Sequence, residues 1–154
     1  MYFFKDKGNR DICLIPEATA IIQKLYNDSL SKNMKRPIQL FYEQKCYRYE
    51  KPQEGRYREF TQFGIEILGN IEGDKDTAIR LLKECISIFG ELDKDFFFKE
   101  NIKRGLNYYI EDGFEIECPY LGAQKQVAGG GRYKEGIGWA IGIDRLIIAK
   151  NKIK

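Results

Sequence analysis

Gln62 and Glu66 stand four positions apart in the stretch RYEKPQEGRYREFTQFGIEILG, residues 48–69, among aromatic and branched apolar residues. Just upstream lie Arg48, Glu50, Lys51, Arg56 and Arg58. Arginine forks match phosphate oxygens in pairs, whereas a carboxylate holds an ammonium group. The pattern suits a ligand with phosphate at one end and an amine at the other, without naming it. Two further segments carry the same signal. KRGLNYY presents Arg104 with Tyr109 in reach, and GGGRY presents Arg132 and Tyr133 beside backbone freed for close approach. That glycine triplet matches neither a P-loop nor a dinucleotide fingerprint. AIGIDRL places Arg145 in an otherwise apolar run, where it either snorkels to solvent or reaches a phosphate.

Composition removes several chemistries. The chain of 154 residues has no histidine, which excludes a Ser/His triad, a Cys/His pair and a His-ligated metal. Its four cysteines, Cys13, Cys46, Cys85 and Cys118, contain no CxxC pair, so no metal site is expected and the thiols read as reduced. A net charge of +3 is too mild to argue for a nucleic-acid surface. No apolar run approaches transmembrane length and no signal peptide opens the chain, so the expectation is a cytoplasmic protein without membrane contact.

The elements that must position these residues follow from periodicity. MYFFKDKGNRDICLI reads as two short strands about a Gly-Asn turn, the second being residues 11–15. PEATAIIQKLYNDSL reads as a helix with Pro16 at its first position, Glu17 in its first turn and Ala18, Ile21, Ile22 and Leu25 as its apolar stripe. A strand over 38–50, bent near residues 43–45, turns back through a loop at 51–55 into a return strand over 59–68. So short a connection makes the pair antiparallel. GDKDTAIRLLKECISIFG is a helix, capped by Asp74 or Asp76, that buries Ala78, Leu81, Leu82, Cys85 and Phe89. The triplet FFF suggests a short strand, LNYYIEDGFEIECPY a hairpin about residues 111–113, and KQVAGGGRY a strand entering a glycine-rich bend. GIGWAIGIDRLIIAK suggests a closing helix that packs Trp139, Ile143, Leu146 and Ile147 on the sheet. The sum is an α+β domain, an antiparallel sheet flanked by about three helices.

Alternation along residues 59–68 puts Thr61, Phe63, Ile65 and Ile67 on a core face and Gln62, Gly64 and Glu66 on the other. Gly64 leaves a gap between the two polar residues. Arg48 and Glu50 join that polar face from the partner strand. The face is either the floor of a pocket or a solvent-exposed surface of weak cross-strand ion pairs.

Five blocks of this chain resemble the histidyl-tRNA synthetase group of class II aminoacyl-tRNA synthetases. YRYEKPQEGRYREFTQFGIEILG resembles class II motif 2, and GWAIGIDRLIIA resembles motif 3. KRGLNYY and LGAQKQVAGGGRY are similar to the two histidine-specific signatures. MYFFKDKGNRDICLIPEATA is similar to the segment that closes over the amino group of the substrate. The resemblance implies a class II synthetase-like sheet and amino acid adenylation with histidine and ATP as substrates, Mg²⁺ accompanying the ATP. Arg48 would hold the α-phosphate, Arg145 the γ-phosphate, Arg56 the terminal phosphates, and Glu50 would lie near the adenine. Glu17, Thr19 and Gln62 would bind the α-amino group. Glu66 and Tyr109 would grip the imidazole with Tyr133 nearby, and Arg104 would touch the carboxylate and α-phosphate.

The chain also departs from the group. Motif 1, which builds the family dimer, has no counterpart here, nor does the insertion expected before the KRGLNYY block or an anticodon-binding domain. The expectation is one reduced catalytic domain over residues 1–154, with the family dimer left open. Its acyl acceptor would be tRNA(His) or another carrier. The alternative implied by the resemblance is a paralogue that senses histidine as a regulatory subunit, as in ATP phosphoribosyltransferase. Glu66 adds a physical point: left buried and unpaired it would cost several kcal/mol, which favours a filled or solvated pocket.

Overall fold

The computed structural model describes residues 1–51 and 53–153. A hairpin of β1 (Phe3–Lys5) and β2 (Asp11–Cys13) leads into α1 (Thr19–Leu25), a π-helical turn (Tyr26–Leu30) and the short α2 (Ser31–Asn33). Then come β3 (Ile38–Tyr47), β4 (Glu59–Leu68), α3 (Asp74–Ser87), β5 (Phe97–Ile102), β6 (Gly113–Glu117), β7 (Gln126–Tyr133), β8 (Gly136–Gly142) and α4 (Ile143–Lys152). The last six strands form one antiparallel sheet in the order β3-β4-β8-β7-β6-β5. The α+β reading is correct, and β4 has the bounds that alternation indicated.

The two faces of the sheet are covered differently. On one, Ile67, Ile137, Trp139 and Ile141 meet Ala78, Leu82 and Ile86 of α3 and Leu146 and Ala149 of α4. Each large side chain fully buried there contributes about 1.5–3 kcal/mol. Trp139 also donates its indole N–H to the Ala78 carbonyl at 2.8 Å, fixing α3 on β8. On the other face, Ala18, Ile22 and Tyr26 cover Ile38, Leu68 and Tyr133. This second core is small, and the rest of that face is left for a cavity.

Several local expectations fail for identifiable reasons. The segment 136–142 is a strand, not the start of a helix. Its large residues Ile137, Trp139 and Ile141 alternate with Gly136, Gly138, Ala140 and Gly142, a period of two that inserts the strand between β4 and β7. Ile147 is 54% exposed rather than packed. The glycine triplet lies inside β7 and is no bend. Residues 111–113 close no hairpin, because β6 pairs with β5 and β7 while Tyr109 makes an isolated bridge to Tyr133.

β3 ends at Tyr47 and keeps one register with β4 from Ile38 to Tyr47, so there is no bend at 43–45 and Arg48 and Glu50 lie beyond the strand. α1 begins only at Thr19; Pro16 and Glu17 precede it, while Ile21 and Leu25 are exposed at 48% and 46%. Neither Asp74 nor Asp76 caps α3. Gly73, at φ +76°, takes the N-cap position, and Asp74 turns inward to the Arg132 guanidinium.

Candidate active site

A cavity of about 1250 Å³ opens on the sheet face that α1 only partly covers. Its wall is built from the segment before α1, the end of β3 and the loop after it, β4, the loop between β5 and β6, β7, and the junction of β8 with α4. Nine of the residues singled out from the sequence line it: Glu17, Thr19, Arg48, Glu50, Arg56, Gln62, Arg104, Tyr109 and Arg145. Glu66 and Tyr133 do not; they sit behind the wall. Arg132 is drawn away to Asp74, and Arg58 stacks on Tyr49 with Nε donating to the Glu50 carbonyl.

The arginine end is made by fold contacts that hold each guanidinium in place. Arg48 Nε donates to the Pro16 carbonyl at 2.9 Å, and its guanidinium lies 5.0 Å from the centre of the Phe60 ring. Arg145, in the first turn of α4, donates from Nε to the Gly55 carbonyl and from Nη1 to the Gln126 carbonyl, at 2.8 and 2.6 Å. It therefore fastens the loop after β3 to the sheet and is no snorkelling surface residue. Asp144 accepts the Thr61 amide at 2.7 Å and sets α4 against β4. Arg56 pairs with Glu50 at 2.6 Å. Burial, then the like charges of Arg48 and Arg56, hold the Arg145 guanidinium below its ordinary value, with Glu50 opposing them. Arg145 thus faces two further cations with one carboxylate opposing them, an excess of positive charge that suits a polyanion.

Behind the wall of the opposite end, reached through Thr19, is a cluster that is buried and already hydrogen-bonded within itself. Glu66 is fully buried, Thr19 Oγ1 donates to its Oε1 and Tyr133 Oη to its Oε2, both at 2.7 Å. Glu66 is therefore neither unpaired nor solvated, which corrects the expectation that its burial favours a filled or solvated pocket. Burial pushes its carboxyl up to about 7, the Thr19 and Tyr133 hydroxyls pull it down, and Glu17 pushes it up. Gly138 makes the room: a Cβ there would lie 1.6 Å from Glu66 Oε2. The gap expected at Gly64 is filled by the Tyr42 ring, whose Cζ would lie 2.3 Å from a Cβ. Gln62 accepts at Oε1 from the Cys46 thiol at 3.2 Å, and burial raises that thiol to about 11, so it stays a donor.

Arg104 belongs to neither cluster. Its guanidinium lies over Gly129, where a Cβ would meet Nη1 at 2.8 Å, so this β7 glycine serves as a floor for the side chain. The nearest carboxylate oxygen paired with it, on Glu115, is 3.7 Å away, and Arg104 Nε is buried with no hydrogen-bond partner among the described residues. A buried donor on this partly buried cation is costly to leave unpaired and is free to serve a ligand.

Electrostatic neighbourhood orders the two ends. Glu66 feels Glu17; Glu17 feels Arg48 and Arg104; Arg145 feels Arg48 and Arg56. Arg48 is the group coupled to both ends. The sequence reading passed over Tyr108, which lines the cavity and donates to Glu17 Oε2 at 2.9 Å. Its signal was the doubled tyrosine of KRGLNYY, of which only the second was singled out.

The family model described as tRNA synthetase class II core domain (G, H, P, S and T) matches residues 2–144. The chain belongs to this family. Its curated relatives include the histidine–tRNA ligases of Natranaerobius thermophilus, 24% identical over 97% of this chain and 59% of the relative, and of Archaeoglobus fulgidus, 28% identical over 95% and 61%. A shorter stretch is 45% identical to the ligase of Methanosarcina acetivorans, over 56% of this chain and 21% of that protein. This class II core domain thus spans about six tenths of the length of the first two relatives. Each of those two alignments is 250 positions long, more than the 154 residues here, so the relatives carry segments inside the aligned span that this domain lacks. Among solved structures, an ATP phosphoribosyltransferase regulatory subunit/histidyl-tRNA synthetase from Bacillus halodurans superposes with TM-score 0.78 at 16% identity, covering 97% of this chain and 68% of that one. The Desulfitobacterium hafniense pyrrolysyl-tRNA synthetase gives TM-score 0.71 at 18% identity, over 97% and 53%. These likenesses concern the fold. Among the described residues no helix is long and apolar enough to cross a membrane.

Proposed function

We propose that residues 1–154 act as one reduced catalytic domain that binds histidine and ATP and joins them as histidyl adenylate. The observation that carries this reading is the single cavity whose cationic end and carboxylate end meet at Arg48. The histidine–tRNA ligases among the relatives support the choice of amino acid.

In this reading Arg56 and Arg145 hold the β- and γ-phosphates, Arg48 the α-phosphate, and Glu50 lies by the adenine. Mg²⁺ enters with ATP on its phosphate oxygens, as hard cations commonly do. Among the described residues no group of three or more acidic or cysteine side chains offers a protein cage for it. Glu17 and Gln62 Oε1 accept from the α-ammonium. Thr19 swings its hydroxyl from Glu66 to the ligand, freeing Glu66 Oε1 for a ring N–H, with Tyr109 and Tyr133 alongside. Arg104 supplies its unused donor to the histidine carboxylate and the α-phosphate.

The carboxylate oxygen then attacks the α-phosphorus. A new O–P bond forms, the bond to the bridging oxygen breaks, and the electron pair leaves with pyrophosphate. The nucleophile is already ionised, so no base is needed; the protein positions the reactants and stabilises developing charge. A chain with no histidine of its own loses nothing in this chemistry. The acyl acceptor in this reading is tRNA(His) or another carrier.

Histidine-dependent exchange of labelled pyrophosphate into ATP tests the proposal, with Arg104→Ala as the inactive control. Exchange with histidine and with no other amino acid supports it. The Bacillus halodurans neighbour, an ATP phosphoribosyltransferase regulatory subunit/histidyl-tRNA synthetase, motivates a second reading, a histidine sensor. Histidine binding by calorimetry without exchange would favour that reading, and absence of both would refute the pair.

A further inference from the structure

Glu17 is a carboxylate without a framework of its own. It lies outside helix and strand, between Pro16 and Ala18, just before α1. Among the described residues Tyr108 Oη is the one hydrogen-bond donor to its carboxylate, at 2.9 Å from Oε2. Tyr108 is itself held on two sides. Its ring centre lies 4.6 Å from that of Tyr109, and it meets the Tyr133 ring edge-on at 6.3 Å. The contact joins positions 91 residues apart and crosses the cavity wall. Tyr108 therefore couples the segment before α1 to the loop between β5 and β6, the two pieces that close the buried end.

We infer that Tyr108 is a positioning residue: it orients the Glu17 carboxylate so that Oε1 faces the ligand's ammonium group. The inference rests on the histidine and ATP reading for its ligand, and on geometry for the contact itself. A phenol O–H that donates to Oε2 fixes the carboxylate's rotation and leaves the other oxygen free to accept. Aromatic neighbours on two faces of Tyr108 lower the entropy that this alignment costs.

The charges around Glu17 sharpen the test. Burial raises its carboxyl above the ordinary value, while the Tyr108 hydrogen bond, then Arg48 and Arg104, lower it. Tyr109, Cys46 and Glu66 complete its titratable surroundings. Arg48 and Arg104 remain in Tyr108→Phe, so that variant removes the hydrogen bond and nothing else of the cationic field. The Glu17 carboxyl should then titrate at higher pH, and the ionised form that holds an ammonium should be lost at a correspondingly higher pH.

Two measurements on Tyr108→Phe test this. The first is NMR titration of ¹³C-labelled glutamate carboxyls, with the Glu17 signal assigned by its disappearance in Glu17→Gln. It needs no substrate, so it stays decisive even where the wild type shows no exchange and the histidine and ATP reading itself fails. The expected result is an upward move of the Glu17 midpoint; an unmoved midpoint overturns the inference. The second is the pH profile of KM for histidine in pyrophosphate exchange. The expected result is KM raised about tenfold near neutral pH, as loss of one charge-assisted hydrogen bond implies, with kcat changed much less and the acid limb moved up. A fall in kcat with an unshifted KM profile indicates a merely structural role and overturns the inference. In a Glu17→Gln background Tyr108→Phe should add little, and full additivity of the two substitutions contradicts the coupling.

Discussion

The two ends of the cavity present opposite states of readiness. At the cationic end Arg145 is opposed by the like charges of Arg48 and Arg56, and Glu50 is the carboxylate that pairs with Arg56 and offsets them. At the buried end Glu66 already has both oxygens hydrogen-bonded, by Thr19 and Tyr133. The first end is poised for a highly charged ligand that brings its own compensation. The second is preorganised without one and has to exchange a partner to accept anything. Under the proposed function, phosphate would relieve a repulsion, whereas the amino acid would replace an existing hydrogen bond.

The largest expected break falls on the group that belongs to neither end. Arg104→Ala removes the guanidinium whose Nε has no partner among the described residues, so it should cost the fold little. Pyrophosphate exchange should fall by about 10²–10³, the usual loss for one donor aimed at developing charge. An equal loss of thermal stability would mean that Arg104 is structural.

Next comes Gly138→Ala, which strikes the buried end alone. The new methyl would occupy the Glu66 carboxylate, and overpacking of this kind costs about 3 kcal/mol, or a Tm lowered by about 10 °C. Calorimetry of unfolding measures it; an unchanged Tm would show that Glu66 is free to move aside.

Glu66 itself gives a pH signature. Its folded value of about 7 lies above the ordinary carboxyl value of 4.5, so between these values the folded state holds a proton that the unfolded chain has lost. Its contribution therefore declines as pH rises from about 4.5 to 7, by on the order of 3 kcal/mol. Glu66→Gln should flatten that part of the stability profile in denaturant unfolding at pH 5 and pH 8. A wild-type profile no steeper than the variant's would contradict the protonation argued for this site. Arg56→Ala should do least. Its partly exposed pair with Glu50 is weak, so KM for ATP should rise about threefold to tenfold while KM for histidine stays constant.

How much of this was legible in the sequence differs between the ends as well. Strand β4 was readable because both of its faces obey a period of two, and Gln62 and Glu66 followed from it. The cationic end was readable because arginines clustered in one loop and one helix. What alternation could not supply was the depth of Glu66, since burial depends on Thr19 and Tyr133, 47 and 67 residues away. The small residues of 136–142 looked like poor helix formers inside a helix. They are instead the inner face of a central strand, shaped by a carboxylate from β4 that no local pattern announces. Tyr108 was not legible because its contact with Glu17 exists only once the loop between β5 and β6 meets the segment before α1.

The most direct test of a single cavity with two ends that meet at Arg48 is competition by a non-hydrolysable histidyl adenylate analogue, the sulfamoyl ester of adenosine carrying histidine. Bound analogue should displace both histidine and ATP, with an affinity above that for either alone, and Arg48→Ala should weaken all three ligands. Displacement of one ligand with the other still bound, or of neither, would contradict the account.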